Sequence, residues 1–238
     1  VIRTGLVLPT FGESPDDALA VAQEAWLAGV DGFFCYDHLW PMGQPERPAL
    51  APFPILAALA DLLEPRDGED GPFLGTLVAR VGLAPNDVLA RQFVALANLA
   101  PGRVIAGLGT GDRLSQAENL AYGIPYPPAG VRRADLVVLA AELVGLGLTV
   151  WVAGGPAART EEAAQAGAAL NVWDAEPNLV AERSRGPGAV EVTWAGPAPQ
   201  GSEALAASVT QVANAGATWA VYGWPVDPVV LVEAARAT

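Results

Sequence analysis

Apolar positions along this chain gather into short, nearly continuous runs rich in β-branched and aromatic residues. Each run gives way to a stretch in which apolar residues recur every three or four positions. Eight runs read as strands: Thr4–Pro9, Gly32–Tyr36, Phe73–Ala79, Arg103–Leu108, Thr149–Ala153, Leu170–Trp173, Glu191–Ala195 and Trp219–Tyr222. Strands that are apolar throughout, instead of alternating, are covered on both faces, as parallel strands are beneath helices. The stretches between them carry helix punctuation. Ser14-Pro15-Asp16-Asp17 supplies an N-cap serine, a proline at the first helical position and an acid at the third, with Leu19, Ala22 and Trp26 as the apolar stripe and Gly29 as the stop. Asp87 opens a second helix, with Leu89, Phe93 and Leu96 inward and Pro101-Gly102 at its end. Ser202 opens a third, with Leu205, Val209 and Val212 inward and Gly216 after it.

Eight strand–helix units over 238 residues predict one α/β domain spanning 1–238, a (β/α)₈ TIM barrel. An open doubly wound sheet is the alternative, but its dinucleotide fingerprint is missing: after Gly107-Leu108-Gly109-Thr110-Gly111, position 112 is Asp where the third fingerprint glycine would stand. The run from Leu136 to Gly155 has the length of a membrane span. Gly145 and Gly147 interrupt it and a β-prone Thr149-Val150-Trp151-Val152 follows, so it reads as a buried helix, a break and a buried strand.

Composition changes the picture mainly by exclusion. With 13 basic and 26 acidic residues the net charge is -13, a surface that repels phosphate backbones and anionic headgroups; neither nucleic acid nor membrane is the expected partner. All 13 basic residues are arginine, which excludes Schiff-base lysine chemistry, pyridoxal enzymes and the lysine of a P-loop. One histidine, His38, and one cysteine, Cys35, allow no His/Cys zinc cage and no disulfide within the chain, so no metal is expected. Val1 to Leu8 lacks the pattern of a secretory signal, and a cytoplasmic location is expected.

In a barrel of this kind chemistry sits just past the C-terminal ends of the strands. Four clusters stand there. Tyr36-Asp37-His38-Leu39-Trp40-Pro41 sets a carboxylate beside the single imidazole, either an acid–base group near neutral pH or a histidine bonded into a loop. Leu74-Gly75-Thr76-Leu77-Val78 is a core strand whose glycine admits a close approach. Gly109-Thr110-Gly111-Asp112-Arg113 leads glycines into a helix start, where Asp112 is a helix cap or part of an anion site. Gly154-Gly155-Pro156-Ala157-Ala158-Arg159 is either a tight turn or a phosphate cradle of backbone amides, to which Arg159 adds charge.

Taken in order, these residues resemble a known family. Gly5-Leu6-Val7-Leu8-Pro9, Ala28-Gly29-Val30-Asp31-Gly32-Phe33, Asp37-His38-Leu39, Leu74-Gly75-Thr76, Ala90-Arg91-Gln92, Leu99 to Val104, Gly107 to Gly111 and Val152-Ala153-Gly154-Gly155-Pro156 look like the bacterial-luciferase-like oxidoreductases. The Asp-His pair is most similar to the branch that uses the deazaflavin coenzyme F420. The resemblance implies a ring lying across the barrel mouth, backed by a bulge with a non-prolyl cis peptide at Leu77-Val78. It assigns coenzyme contacts to Asp37, Thr76, Leu77, Val78, Gly109 and Thr110, with Gly154, Gly155, Pro156, Ala157 and Arg159 at the phosphate. His38 would stand near the reactive carbon, and Asp112 where some members carry a glutamate acid, one methylene longer. The family's insertion before the fifth strand is reduced here to Val131–Gly147, which puts the substrate lid in question. The activity implied is hydride transfer between F420 and a small organic substrate. An FMN-dependent monooxygenase and a non-catalytic flavin-binding barrel are the alternatives, and a homodimer formed through the outer helices is the expected assembly.

Overall fold

A computed structural model describes residues 1–41, 43–63, 65, 71–154 and 157–238, with only the backbone described at 157–159. Its strands are β1 (Arg3–Val7), β2 (Gly32–Cys35), β3 (Phe73–Thr76), β4 (Ala79–Arg80), β5 (Val104–Gly109), β6 (Thr149–Gly154), β7 (Ala169–Trp173), β8 (Val192–Pro197) and β9 (Trp219–Gly223). All pairings are parallel and run in the order β3-β2-β1-β9-β8-β7-β6-β5-β4, and a further pairing of β3 with β5 closes the sheet. β3 and β4 are two halves of one barrel strand, so the architecture is an eight-stranded (β/α)₈ barrel. Around it stand α1 (Asp16–Ala28), α2 (Pro52–Leu62), α3 (Asn86–Leu99), α4 (Arg113–Ala121), α5 (Ala129–Gly145), α6 (Ala157–Ala166), α7 (Pro177–Arg185), α8 (Ser202–Ala215) and α9 (Pro228–Arg236).

All eight expected strands are present, with ends displaced by a residue or two. The third differs in kind: the run Phe73–Ala79 is broken between Thr76 and Ala79. Gly75 pairs with Ile105 and Ala79 with Leu108, so this strand advances four residues while β5 advances three. The extra residue makes a bulge, and Leu77-Val78 within it is a non-prolyl cis peptide. The stop at Gly29 adopts φ 107°, a left-handed cap that favours glycine. The start of α1 lies one residue later than expected, at Asp16, whose N–H donates to Ser14 Oγ at 3.2 Å.

Two apolar layers hold the barrel. The larger lies between strands and helices and includes Leu6, Phe33, Leu56, Leu59, Leu74, Phe93, Leu139 and Leu170, all essentially without exposure. The smaller fills the interior, where Phe34 stacks on Trp151 at 5.1 Å between ring centres and both meet Trp219 at 5.9 and 5.4 Å. Phe34 fits because its partner on β3 is Gly75 and its ring lies over Gly5 of β1. A Cβ on Gly5 would stand 2.8 Å from the Phe34 ring, and one on Gly75 3.0 Å from it. This aromatic plug closes the floor of the barrel and leaves the C-terminal mouth open. Among the described residues no helix is long and apolar enough to cross a membrane, and α5 with β6 accounts for the apolar run from Leu136.

Candidate active site

Strand direction brings the predicted clusters to one rim. Phe11, Tyr36, Asp37, His38, Leu77, Val78, Arg80, Gly109, Thr110, Gly111, Asp112, Ser115, Ala153, Gly154, Asn171 and Trp173 line a cleft of about 530 Å³ with mainly apolar walls. That volume lies within the usual range of small-molecule and cofactor sites. Its back wall is the bulge. β5 can lie against it only because Gly107 and Gly109 lack side chains: a Cβ on Gly107 would stand 2.0 Å from the Thr76 carbonyl oxygen, and one on Gly109 2.4 Å from Val78 Cγ2. Thr76 is the exception among those predicted contacts that lie within the described residues. It is fully buried and absent from the cleft wall, and its hydroxyl donates to the Gly107 carbonyl at 2.7 Å, fastening β3 to β5.

Asp37 and His38 both reach the cleft, but they do not pair with each other. Successive side chains on extended backbone point to opposite sides. The Asp37 carboxylate accepts from the Arg80 backbone N–H at 2.9 Å. The imidazole instead meets Glu118, whose Oε1 lies 2.7 Å from His38 Nδ1. Burial raises the Asp37 carboxyl above its ordinary value, against the opposing pull of the Arg80 N–H and guanidinium.

Glu118, on the inner face of α4, is 1% exposed at its side chain and was not singled out by the sequence. Its Oε2 accepts from the Leu39 N–H at 2.7 Å and from Arg80 Nη2 at 3.1 Å. Arg80, buried to a similar degree, also donates through Nη1 to the Ser115 carbonyl at 3.3 Å. A carboxylate buried so far from its next acidic neighbour in the sequence is indistinguishable, by pattern, from the solvated glutamates of other helices. The one available signal is its place on α4, which begins at the predicted glycine cluster.

Asp112 has the capping role. Its Oδ1 accepts from the Leu114 and Ser115 N–H groups, both at 2.9 Å, and from Ser115 Oγ at 3.0 Å, while Ser115 Oγ accepts from the Asp112 N–H in return. Slight burial pushes its carboxyl up, but the Ser115 and Leu114 bonds outweigh that and hold it below the ordinary carboxylate range. Tyr126 donates its hydroxyl to the Asp112 carbonyl, and Arg132 donates to the Thr110 carbonyl at 2.8 Å, so the segment after β5 is tied to the start of α5. On the strand beside β5, Gly154 ends β6 and lines the cleft, and α6 starts at Ala157. Gly155 and Pro156 lie outside the described residues, as do the side chains of Ala157 and Arg159. Among the described residues no cluster of His, Cys, Asp or Glu is arranged to hold a metal.

A second cleft, of about 660 Å³, adjoins the first across Tyr36 and Trp173, which line both. Pro197, Pro199, Trp224 and Val226 give it apolar walls, and Gln200, Ser202 and Asp227 its polar groups. Burial pushes the Tyr36 phenol up to about 12, so at the boundary between the two clefts it is a neutral donor.

No family model matches the chain. It is 36% identical over 135 residues to an F420-dependent glucose-6-phosphate dehydrogenase of Beutenbergia cavernae, a match covering 56% of this chain and 38% of that protein. It is 31% identical over 141 residues to an F420-dependent hydroxymycolic acid dehydrogenase of Mycobacterium tuberculosis, covering 58% of this chain and 37% of that one. The matches thus span little more than a third of either relative. The structure superposes on an F420-dependent secondary alcohol dehydrogenase, solved with an F420-acetone adduct, with a TM-score of 0.75, 15% identity and 99% of each chain covered, a likeness of fold. The bulged third strand and the order of the motifs agree with these likenesses, and over rather more than half of its length the chain is similar to F420-dependent oxidoreductases.

Proposed function

We propose that this protein is an oxidoreductase that moves a hydride between coenzyme F420 and a small organic substrate, with the coenzyme ring in the 530 Å³ cleft against the Leu77–Val78 bulge. The observation that carries this reading is the cleft itself. Its apolar wall is formed by the bulge pressed onto Gly107 and Gly109, and its only imidazole stands at the rim with one ring nitrogen already engaged. Such a wall suits the face of a flat ring, and the residues present therefore fit the coenzyme. FMN is the alternative occupant of the same wall.

The bound coenzyme supplies hydride acceptance or donation. The chain supplies the rest. Leu77, Val78 and Ala153 exclude water from one side of the ring, and the Gly154–Ala157 turn, with Arg159, is the proposed hold on its phosphate. His38 is the group placed to take the proton that a hydroxyl loses as its carbon gives up a hydride, or to return it in the reverse direction. Asp112 is read as the cap that keeps the mouth in shape. Its carboxyl, held ionised by its bonds, is an unsuitable proton donor at neutral pH.

The second cleft favours a working enzyme over a barrel that has lost its substrate site, because it leaves room beside the ring in spite of the shortened insertion. Among the described residues that line it there is no cation, and Asp227 is engaged in capping α9 through Val229 N and Val230 N. The first amides of α8 have no side-chain cap and can donate to a substrate oxygen, without selecting its charge. With no cation among those described residues, the substrate is proposed to be an uncharged alcohol or carbonyl compound, in contrast to the sugar phosphate named for the Beutenbergia relative. The test is F420 reduction followed by absorbance with a panel of uncharged alcohols and glucose 6-phosphate. Turnover confined to the uncharged compounds is expected; turnover of the sugar phosphate alone would overturn the assignment.

A further inference from the structure

We infer that Glu118 is a positioning residue for His38: it fixes the imidazole in the tautomer with the proton on Nδ1 and leaves Nε2 as the unprotonated nitrogen available to the cleft. The inference rests on the reading of His38 as the proton carrier, but its geometry stands without the coenzyme.

A carboxylate only accepts hydrogen bonds, so the 2.7 Å contact of Glu118 Oε1 with Nδ1 requires the proton on that nitrogen. Glu118 is itself prevented from turning away. Its other oxygen is held by the Leu39 N–H and by Arg80, and the side chain is 1% exposed. Leu39 follows His38 directly, so one carboxylate grips both the ring and the backbone beside it. The tautomer of a neutral histidine is set by the bond its other nitrogen makes, and here that bond comes from a group with no freedom to rotate. No protein group among the described residues bonds to Nε2, and the ring is 23% exposed along the cleft.

The charges around the ring come from three further places. Asp37 precedes it, Asp112 lies at the start of α4, and Arg80 lies between Asp37 and Glu118. Phe11 and Tyr36 pack beside the imidazole, but among the described residues Glu118 is the group hydrogen-bonded to it, so that bond decides the tautomer. A free histidine in water favours the opposite one, with the proton on Nε2, which would face a hydroxyl with a donor where an acceptor is needed.

His38 is the only histidine in the chain, so ¹⁵N correlation of the imidazole nitrogens reads this site in the intact, coenzyme-free protein without assignment. Above the titration of the ring, wild type is expected to show one neutral tautomer, protonated at Nδ1. Glu118→Gln replaces the obligate acceptor by an amide that also donates, and a mixed population or the Nε2-protonated form is expected. Its turnover should fall by about 10²-fold or more, the share of a correctly placed acid–base group, while KM for the coenzyme holds. Arg80→Met combined with Glu118→Gln removes the cation that the single change leaves buried, and serves if the single variant does not fold. A wild-type ring protonated at Nε2, or a Glu118→Gln protein with the wild-type tautomer, would overturn the inference whatever the coenzyme does. A correct tautomer in a protein that binds neither F420 nor FMN would instead leave the inference standing and remove the proposed function.

Discussion

His38 was legible as a candidate because it is the single imidazole and follows a strand directly. Its partner was not. The sequence offers Asp37 as the neighbour, yet extended backbone turns Asp37 toward the Arg80 N–H and leaves the ring to Glu118, eighty positions away. Long-range pairing of this kind depends on which face of α4 turns inward, and that face is polar: Ser115, Glu118 and Asn119 are buried while Leu114 and Leu120 are exposed, so no apolar stripe marks it. If His38 moves the proton, His38→Asn keeps a polar tip but loses the titratable ring, and turnover should drop by about 10²–10⁴-fold with coenzyme affinity little changed. Steady-state rates set beside a coenzyme titration check this. Asp112 tests the opposite expectation. Replacing this cap by alanine should cost about 1 kcal/mol at neutral pH. Its folded-state carboxyl lies below its unfolded value, so its stabilisation is present above the ordinary carboxylate range and is lost as pH falls through the depressed value. Urea unfolding at pH 7 and near pH 3 should show the gap between wild type and Asp112→Ala narrowing in acid.

At the scale of elements, periodicity located every barrel strand because parallel strands under helices are apolar on both faces and announce themselves by composition. It missed the break in the third. Leu77 and Val78 continue the apolar run without interruption, and the bulge shows only in the pairing with β5. The resemblance to the luciferase-like family, and not the pattern, pointed to Leu77-Val78. The glycines opposite are what make the bulge fit. Gly107→Ala would bring a methyl group to 2.0 Å from the Thr76 carbonyl oxygen, a backbone atom that cannot swing aside as a side chain would. The variant should lose about 1–3 kcal/mol, the usual cost of overpacking, and should bind coenzyme less tightly because the ring wall shifts. Denaturation midpoints and a coenzyme titration on the same samples would reveal an unchanged wall if both values matched wild type.

For the molecule as a whole, the barrel places all the described clusters at one mouth, and the second cleft beside them is a feature no linear motif announced. Its walls come from the ends of β7 and β8 and the loops after β8 and β9, whose residues, Pro197, Pro199 and Trp224 among them, carry no catalytic signature. The outer surface carries a second expectation. Val88 and Val94 on α3 and Val131 and Val138 on α5 are exposed on two helices that pack together, apolar surface available to a second copy of the chain. Light scattering should report twice the 24.5 kDa mass of one chain; a monomer at every concentration would contradict it. The central claim is that the mouth holds a deazaflavin, and the most direct measurement is a titration of the purified protein with F420 and, separately, with FMN, followed by fluorescence. Saturable binding of F420, tighter than that of FMN and weakened by Gly107→Ala, is the predicted result; no saturable binding of either coenzyme would contradict the account.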